Sequence, residues 1–139
     1  MIALTFALPP AKLRANHRQT RFVSGLRAAY SAEMYLSALE QGWRPQAALT
    51  GELAVRVTWR QTGHGDVDNT LSATKVIWDA LACAPARAAK DMTYLGIMQD
   101  DSQIVEITVR RERVATKRAE CVVIELWQAG ERGESPSRL

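Results

Sequence analysis

Apolar and polar positions alternate or recur along the chain in ways that predict its elements. Residues 2–8 are mostly apolar and stop at Pro9-Pro10, which is typical of a strand. From residue 24 to residue 41, apolar side chains approximate a 3.6-residue repeat behind Ser24, a common helix cap, so this stretch predicts a helix. Residues 52–60, ELAVRVTWR, alternate between apolar and polar side chains and predict the clearest strand of the chain.

The second half of the chain predicts one more helix and two more strands. A loop with two glycines, QTGHGDVDN, leads into a helix expected from about residue 69 to residue 82. Residues 83–99 give no clear pattern apart from a break at Gly96, and strands are expected over 103–110 and 120–127. The order β-α-β-α-β-β predicts an α/β (α+β) fold, a small mixed sheet with helices packed on it.

The length favours one domain followed by a short tail. A chain of 139 residues is about the size of a single compact domain, which we expect to span residues 1–129. Residues 130–139 are polar, with Gly, Ser and Pro, and are expected to form a flexible C-terminal tail. Cys83 and Cys121 lack a histidine partner nearby and are expected to be free buried thiols.

Two features of the sequence bear on localisation. No run of 18 or more apolar residues is present, which excludes a transmembrane helix. The N-terminal apolar run precedes its charges, which is the wrong order for a signal peptide. We therefore expect a cytoplasmic protein without a membrane partner.

The net charge of +3 is unevenly distributed. Residues 1–60 carry eight basic and three acidic side chains, residues 61–109 three basic and seven acidic, and residues 110–139 seven basic and five acidic. An acidic centre between basic segments is what a metal-dependent enzyme acting on nucleic acid requires, although chance also produces this distribution.

The acidic residues of the central segment form a pattern. Asp66 and Asp68 alternate in the glycine loop, and Lys75 and Asp79 follow Asp68 by seven and eleven residues. These offsets are close to two and three helical turns, so the three side chains are expected on one helical edge. The pair Asp100-Asp101 stands at the start of a predicted strand. Two or three carboxylates supply the oxygen ligands that Mg²⁺ prefers, and such an ion activates water for attack on a phosphodiester.

Each of these features also has a purely structural interpretation. A lone Asp ahead of a helix is usually its N-cap. Lys75 and Asp79 would form an exposed ion pair that contributes a few tenths of a kcal/mol, roughly. Asp100-Asp101 would be turn residues. The structural interpretation leaves the concentration of carboxylates beside so few bases unexplained.

Three motifs in order resemble the signature of RusA-type Holliday junction resolvases. They are Asp66-Val-Asp-Asn69, Lys75-Val-Ile-Trp-Asp-Ala-Leu81 and Asp100-Asp-Ser-Gln-Ile-Val105, and the opening Leu8-Pro-Pro10 with Asn16 is also similar. The resemblance runs from about residue 4 to residue 126. It implies a structure-selective endonuclease that resolves four-way DNA junctions in recombination and repair. It also implies Mg²⁺, or Mn²⁺ in its place, as cofactor, and a homodimer as the active species.

Carried over residue by residue, the resemblance implies a metal site and a catalytic lysine. The metal ligands fall on Asp66, Asp68 and Asp101, and the lysine that contacts the scissile phosphate or stabilises developing charge falls on Lys75. The resemblance favours Asp101 over Asp100, whereas the residues themselves do not decide between the two.

Two departures from the family pattern leave an alternative open. The interval from Asn69 to Lys75 is about one helical turn longer than usual, and residues 84–95 look like an insertion. Both put efficiency and substrate selectivity in question. The alternatives are a non-catalytic or weakly active branched-DNA-binding module, or a nuclease of the same fold that acts on other branched or single-stranded DNA.

Basic side chains in two predicted loops, residues 12–21 and 110–118, flank the acidic centre. We expect them to contact phosphates and so position DNA without reading its sequence. The candidates are Lys12, Arg14, Asn16, Arg18, Arg21, Arg110, Arg111, Arg113, Lys117 and Arg118. The four tryptophans are expected in the core, and His64 is expected to be exposed.

Overall fold

Four strands form one mixed β-sheet. They are β1 (Ile2–Phe6), β2 (Leu53–Gln61), β3 (Ile104–Arg113) and β4 (Cys121–Gln128), in the spatial order β1-β4-β2-β3. Strands β2 and β3 run parallel, whereas β4 is antiparallel to both β1 and β2. This computed structural model describes residues 1–14, 21–65, 67–88 and 91–130, without the side chains of residues 21, 22, 67 and 68.

Helices join the strands within the described ranges. They are α1 (Ala11–Arg14), α2 (Arg21–Glu40), α3 (Val67–Ala73) and α4 (Lys75–Leu81). Two 3₁₀ turns, Asp101–Gln103 and Lys117–Ala119, precede β3 and β4. This architecture confirms the predicted α/β (α+β) class, a small mixed sheet with helices packed on it. None of the helices described is both long and apolar enough to cross a membrane.

The core lies where alternate side chains of β2 meet the helices. Val55, Val57 and Trp59 are at most 1% exposed and belong to one apolar cluster with Met34 of α2 and Ile77 of α4. Because successive side chains of a strand point to opposite faces, the residues between them face away from this cluster. The helices therefore cover one face of the sheet.

The opposite face of the sheet is polar. Arg56 Nε lies 2.7 Å from Glu125 Oε1 on β4, and Arg60 Nε lies 2.8 Å from Glu112 Oε1 on β3. These pairs join neighbouring strands, and cross-strand pairs of opposite charge stabilise a sheet by a few tenths of a kcal/mol each, roughly.

The tryptophans and cysteines differ in how well the sequence predicted them. Every tryptophan is buried, between 1% and 8% exposed. Trp43, Trp59 and Trp78 belong to the core cluster as expected, whereas Trp127 lies opposite Ala54 and outside that cluster. Cys83 and Cys121 are free as expected, but each is only half-buried, because Cys83 follows the end of α4 and Cys121 is the first residue of β4.

The first basic segment, predicted as a loop, is partly helical. Residues 11–14 form α1 because Leu13 packs into the core and its N–H donates to the Pro10 carbonyl at 2.8 Å. Helix α2 begins at Arg21, three residues before Ser24, so Ser24 is not its cap. Residues 15–20 lie outside the described residues, as does the predicted tail from residue 131 onward.

The second basic segment, also predicted as a loop, begins as strand and then continues as a loop with a 3₁₀ turn. Strand β3 continues to Arg113 because it pairs with β2, with Arg111 opposite Trp59 and Arg113 opposite Gln61. This parallel pairing satisfies backbone groups of β3, and the local sequence does not reveal it.

The segment between α4 and β3 has no regular element but is held by isolated bridges from Met98 to Leu49 and Ala82. In the same segment Gly96 has φ of 68°, a left-handed conformation that favours glycine.

Candidate functional site

The single helix predicted over residues 69–82 is interrupted at Thr74. The Thr74 hydroxyl donates to the Leu71 carbonyl at 2.7 Å, and the Thr74 N–H donates to the same oxygen at 3.2 Å. A hydrogen bond to the carbonyl three residues earlier competes with the helical bond to the carbonyl four residues earlier. The N–H groups of Ile77 and Trp78 then donate to the Thr74 carbonyl and begin a second helix. The prediction of one unbroken helix from residue 69 to residue 82 is therefore wrong.

Lys75 is the first residue of α4 and lies between two carboxylates. Its Nζ is 3.2 Å from Asp79 Oδ1 and 3.1 Å from Asp101 Oδ2. The hydrogen bond to Asp101 is the main reason that the pKa of Lys75 is raised, so the side chain carries its positive charge throughout the neutral range. Asp79 and Asp101 are 35% and 37% exposed and Lys75 is 65% exposed, so solvent reaches all three.

The two adjacent aspartates, Asp100 and Asp101, have different partners. Asp100 Oδ2 accepts a hydrogen bond from the Ser102 hydroxyl at 2.7 Å, and this bond holds the pKa of Asp100 below its usual value. Asp101 points its carboxylate at Lys75 instead. The turn-residue interpretation therefore fits Asp100, whereas Asp101 belongs to the exposed cluster.

Gln103 holds the turn that carries both aspartates. Its side-chain oxygen accepts from the N–H groups of Gln99 and Asp100 at 2.7 and 3.2 Å. Its amide nitrogen donates to the carbonyls of Leu49 and Gly51, both at 2.9 Å. The sequence analysis missed this residue, although an aspartate followed three positions later by glutamine is a capping-box spacing.

Lys75, Asp79 and Asp101, here called the Lys75 cluster, border a pocket of about 570 Å³, the Asp101 pocket. Its lining includes Lys75, Asp79, Asp100 and Asp101. Residues from the segment 84–95, which looked like an insertion, form another part of the wall, together with Arg27. This segment therefore belongs to the candidate site, and nothing in its apolar composition indicated that.

The predicted metal ligands are only partly described. Asp66 lies outside the described residues, and of Asp68 only the backbone, in α3, is described. Within the described ranges, no group of three or more His, Cys, Asp and Glu side chains is placed to hold a metal ion. Asp101 supplies one accessible carboxylate oxygen donor, of the type that Mg²⁺ prefers.

Two of the ten candidate DNA-binding residues line a common pocket. Arg14 and Arg111 border a cavity of about 440 Å³, the Arg111 pocket, with Gln61, His64 and Asn69. His64 is exposed, as expected. The other described candidates are exposed at separate positions on α1, β3 and the second 3₁₀ turn: Lys12, Arg110, Arg113, Lys117 and Arg118. Asn16, Arg18 and the side chain of Arg21 lie outside what the structure describes.

No protein-family model matches the chain, and a search of curated proteins found no match either. The RusA-type resemblance therefore depends on the three motifs and on where their residues lie.

Proposed function

We propose that this chain is a Mg²⁺-dependent, structure-selective endonuclease that cuts four-way DNA junctions. The observation that carries the proposal is the contact between Lys75 and Asp101. These residues come from two different motifs, 26 positions apart in sequence, and their charged atoms lie 3.1 Å apart at an open pocket. Their convergence is what a shared chemical role requires.

Lys75 supplies a positive charge where a phosphodiester would approach. Of the three N–H donors of its ammonium group, two face Asp79 and Asp101, which leaves one for a phosphate oxygen. A cation held in this way offsets the negative charge that develops on the phosphate during cleavage. The carboxylates on either side already restrict the position of the ammonium group, so binding of a phosphate removes little further mobility from it.

Mg²⁺, or Mn²⁺ in its place, would be held by Asp66, Asp68 and Asp101. When bound, the ion supplies an activated water and neutralises charge on the phosphodiester. The candidate arginines and lysines would hold the DNA arms through phosphate contacts. Such an enzyme acts in recombination and repair in the cytoplasm, with branched DNA and a second copy of the chain as its partners.

The break at Thr74 favours a second candidate function, a branched-DNA-binding module with weak or no catalysis. Lys75 begins α4, whereas Asp68 belongs to the separate helix α3. If this separation places the lysine away from the metal ligands, phosphate binding would persist while cleavage is lost.

Cleavage of a synthetic four-way junction, compared with a linear duplex of the same arm sequence, distinguishes these functions. The nuclease is expected to cut the junction in Mg²⁺ or Mn²⁺, to spare the duplex, and to be inactive in EDTA. Junction binding without cutting in either metal would support the binding module. Equal cutting of flaps or single strands would indicate a nuclease of broader structural selectivity, and neither binding nor cutting would overturn both proposals.

A further inference from the structure

The Arg111 pocket differs from the Asp101 pocket in its lining residues and in its chemistry. Its lining comes from α1, the end of β2, the following loop, α3 and β3, and it shares no described lining residue with the Asp101 pocket. Two arginines border it, and within the described residues neither Arg14 nor Arg111 has a carboxylate oxygen within 4.0 Å, the range of an ion pair. The pocket thus holds two guanidinium groups without a directly contacting counter-charge among these residues.

The guanidinium of Arg111 is fixed by neutral oxygens. Its Nη1 donates to the Thr70 hydroxyl, and its Nη2 donates to Gln61 Oε1 at 3.2 Å. Gln61 Oε1 also accepts from the buried Trp59 indole N–H at 2.9 Å, which fixes the Gln61 side chain in turn. Neutral partners orient the fork of Arg111, and among the described side chains no carboxylate pairs with it directly.

Arg14 contributes the second guanidinium. Its Nε donates to the Pro9 carbonyl at 2.6 Å, and its guanidinium carbon lies 5.7 Å from the centre of the Trp59 ring. An arginine over an indole face is stabilised by a cation–π interaction. Partial burial lowers the pKa of Arg14, and an arginine nevertheless stays charged at neutral pH.

Gly65 makes room for this arrangement. A Cβ at this position would lie 2.7 Å from Arg111 Nη2 and 2.8 Å from its guanidinium carbon, closer than side chains pack. The neighbouring Gly63 has open space where a Cβ would lie. The absence of a side chain at Gly65 is therefore needed for the observed position of Arg111.

We propose that the Arg111 pocket binds a phosphate group, with the fork of Arg111 and the guanidinium of Arg14 as its principal contacts. The planar guanidinium matches the spacing of phosphate oxygens and donates two parallel hydrogen bonds to them. The phosphate belongs either to a terminal monoester or to a backbone diester of a nucleic acid. This site needs none of the residues proposed for cleavage.

Titration with inorganic phosphate, followed by ¹H–¹⁵N NMR, tests the site directly. The reporter is the indole N–H of Trp59, because its acceptor Gln61 Oε1 also binds Arg111. We expect saturable movement of this resonance. Parallel titrations with a 5′-phosphorylated nucleoside and with an unphosphorylated dinucleotide, which contains one diester, identify whether a monoester or a diester is the better ligand.

Paired variants separate a built site from general attraction of anions. Arg111→Gln is expected to weaken phosphate binding about tenfold or more, because it removes a charged hydrogen-bond donor. Arg44→Gln removes the same charge from an exposed position after α2, where the guanidinium donates to the Leu39 and Trp43 carbonyls, and should leave the indole shift unchanged. Gly65→Ala keeps every charge but displaces the guanidinium, so it should weaken binding, whereas Gly63→Ala should not.

If the Trp59 indole resonance shows no saturable movement with all three ligands, that result would overturn the inference. So would equal weakening by Arg44→Gln and Arg111→Gln, or equal affinities of Gly65→Ala and Gly63→Ala. If Arg111→Gln does not fold, the two glycine variants still decide the question. Phosphate binding in a chain that never cuts a junction would refute the proposed cleavage and leave this site intact.

Discussion

At the scale of single residues, the ammonium group of Lys75 has two possible uses. It pairs with Asp79 one helical turn away and with Asp101 on the turn before β3. Exposed ion pairs of this kind contribute little to stability, because solvent screens them and two mobile side chains must be held in place. If Lys75 has only a structural role, its replacement should lower the free energy of unfolding only slightly and leave activity unchanged.

Lys75→Ala separates the two uses. We expect the free energy of unfolding to fall by less than about 1 kcal/mol. The single-turnover cleavage rate should fall by about 10²-fold or more, as for loss of a group that stabilises developing charge. Asp79→Asn is the control, since it removes the other ion pair but no proposed catalytic group. Near-parental cleavage by the alanine variant would favour the structural role.

Asp68→Asn tests the predicted metal site. The substitution keeps the size of the side chain but removes one negative charge from a site for a hard cation. Cleavage should be lost while junction binding persists or tightens, because the phosphates meet less negative charge. Cleavage and gel-shift assays on the same junction measure both effects, and an unchanged cleavage rate would remove Asp68 from the mechanism.

At the scale of elements, Glu120 holds the end of β2 to the start of β4. Its Oε2 accepts from the Thr62 N–H at 3.0 Å and from the Thr62 hydroxyl at 2.8 Å. These bonds favour the ionised carboxylate, so the pKa of Glu120 lies below its ordinary value of 4.5. A lowered pKa means that this stabilisation is present above pH 4.5 and is lost as the pH falls through the folded-state value.

Glu120→Gln should therefore destabilise the fold in a pH-dependent way. We expect the variant to unfold at lower urea concentration than the parent at pH 7, and the difference should shrink as the pH falls below 4.5. Glu52→Gln, at an exposed position just before β2, controls for the loss of one negative charge. A stability difference for Glu120→Gln that is as large at pH 3 as at pH 7 would contradict this account.

The sequence predicted elements best where the local pattern is strong. Strand β2 was expected over residues 52–60 and is found at Leu53–Gln61, because its alternation leaves one way to bury Val55 and Val57. Helix α1 and the extension of β3 to Arg113 were missed, because both depend on partners distant in sequence. At the break, the Thr74 hydroxyl and N–H both donate to the Leu71 carbonyl, and hydrophobic periodicity carries no information about such local hydrogen bonds.

The candidate site was predictable only in part. The resemblance implied that Lys75 and Asp101 belong to one catalytic site, and their charged atoms lie 3.1 Å apart. The hydrogen bonds of Gln103 and the contribution of segment 84–95 to the pocket wall arise from tertiary packing, so residue types alone gave no sign of them.

At the scale of the whole molecule, we predict that the active species is a symmetric homodimer. Resolution of a four-way junction needs two cuts in strands related by near two-fold symmetry, and one chain carries one Lys75–Asp101 cluster. A two-fold dimer supplies a second cluster related by the same symmetry. Sedimentation at micromolar concentration should give twice the chain mass without DNA, and that mass plus the mass of one junction with it. One chain per particle in both conditions, with paired cuts still made, would exclude the dimer.

The central claim is that Asp101 takes part in metal-dependent cleavage and that its neighbour Asp100 does not. Single-turnover cleavage of a four-way junction in Mg²⁺ by Asp101→Asn and Asp100→Asn tests it most directly. We predict that the parent cuts, that Asp101→Asn loses about 10²-fold or more, and that Asp100→Asn stays within about threefold, since its amide oxygen still accepts from Ser102. Parental activity in Asp101→Asn, or an equal loss in both variants, would contradict the account.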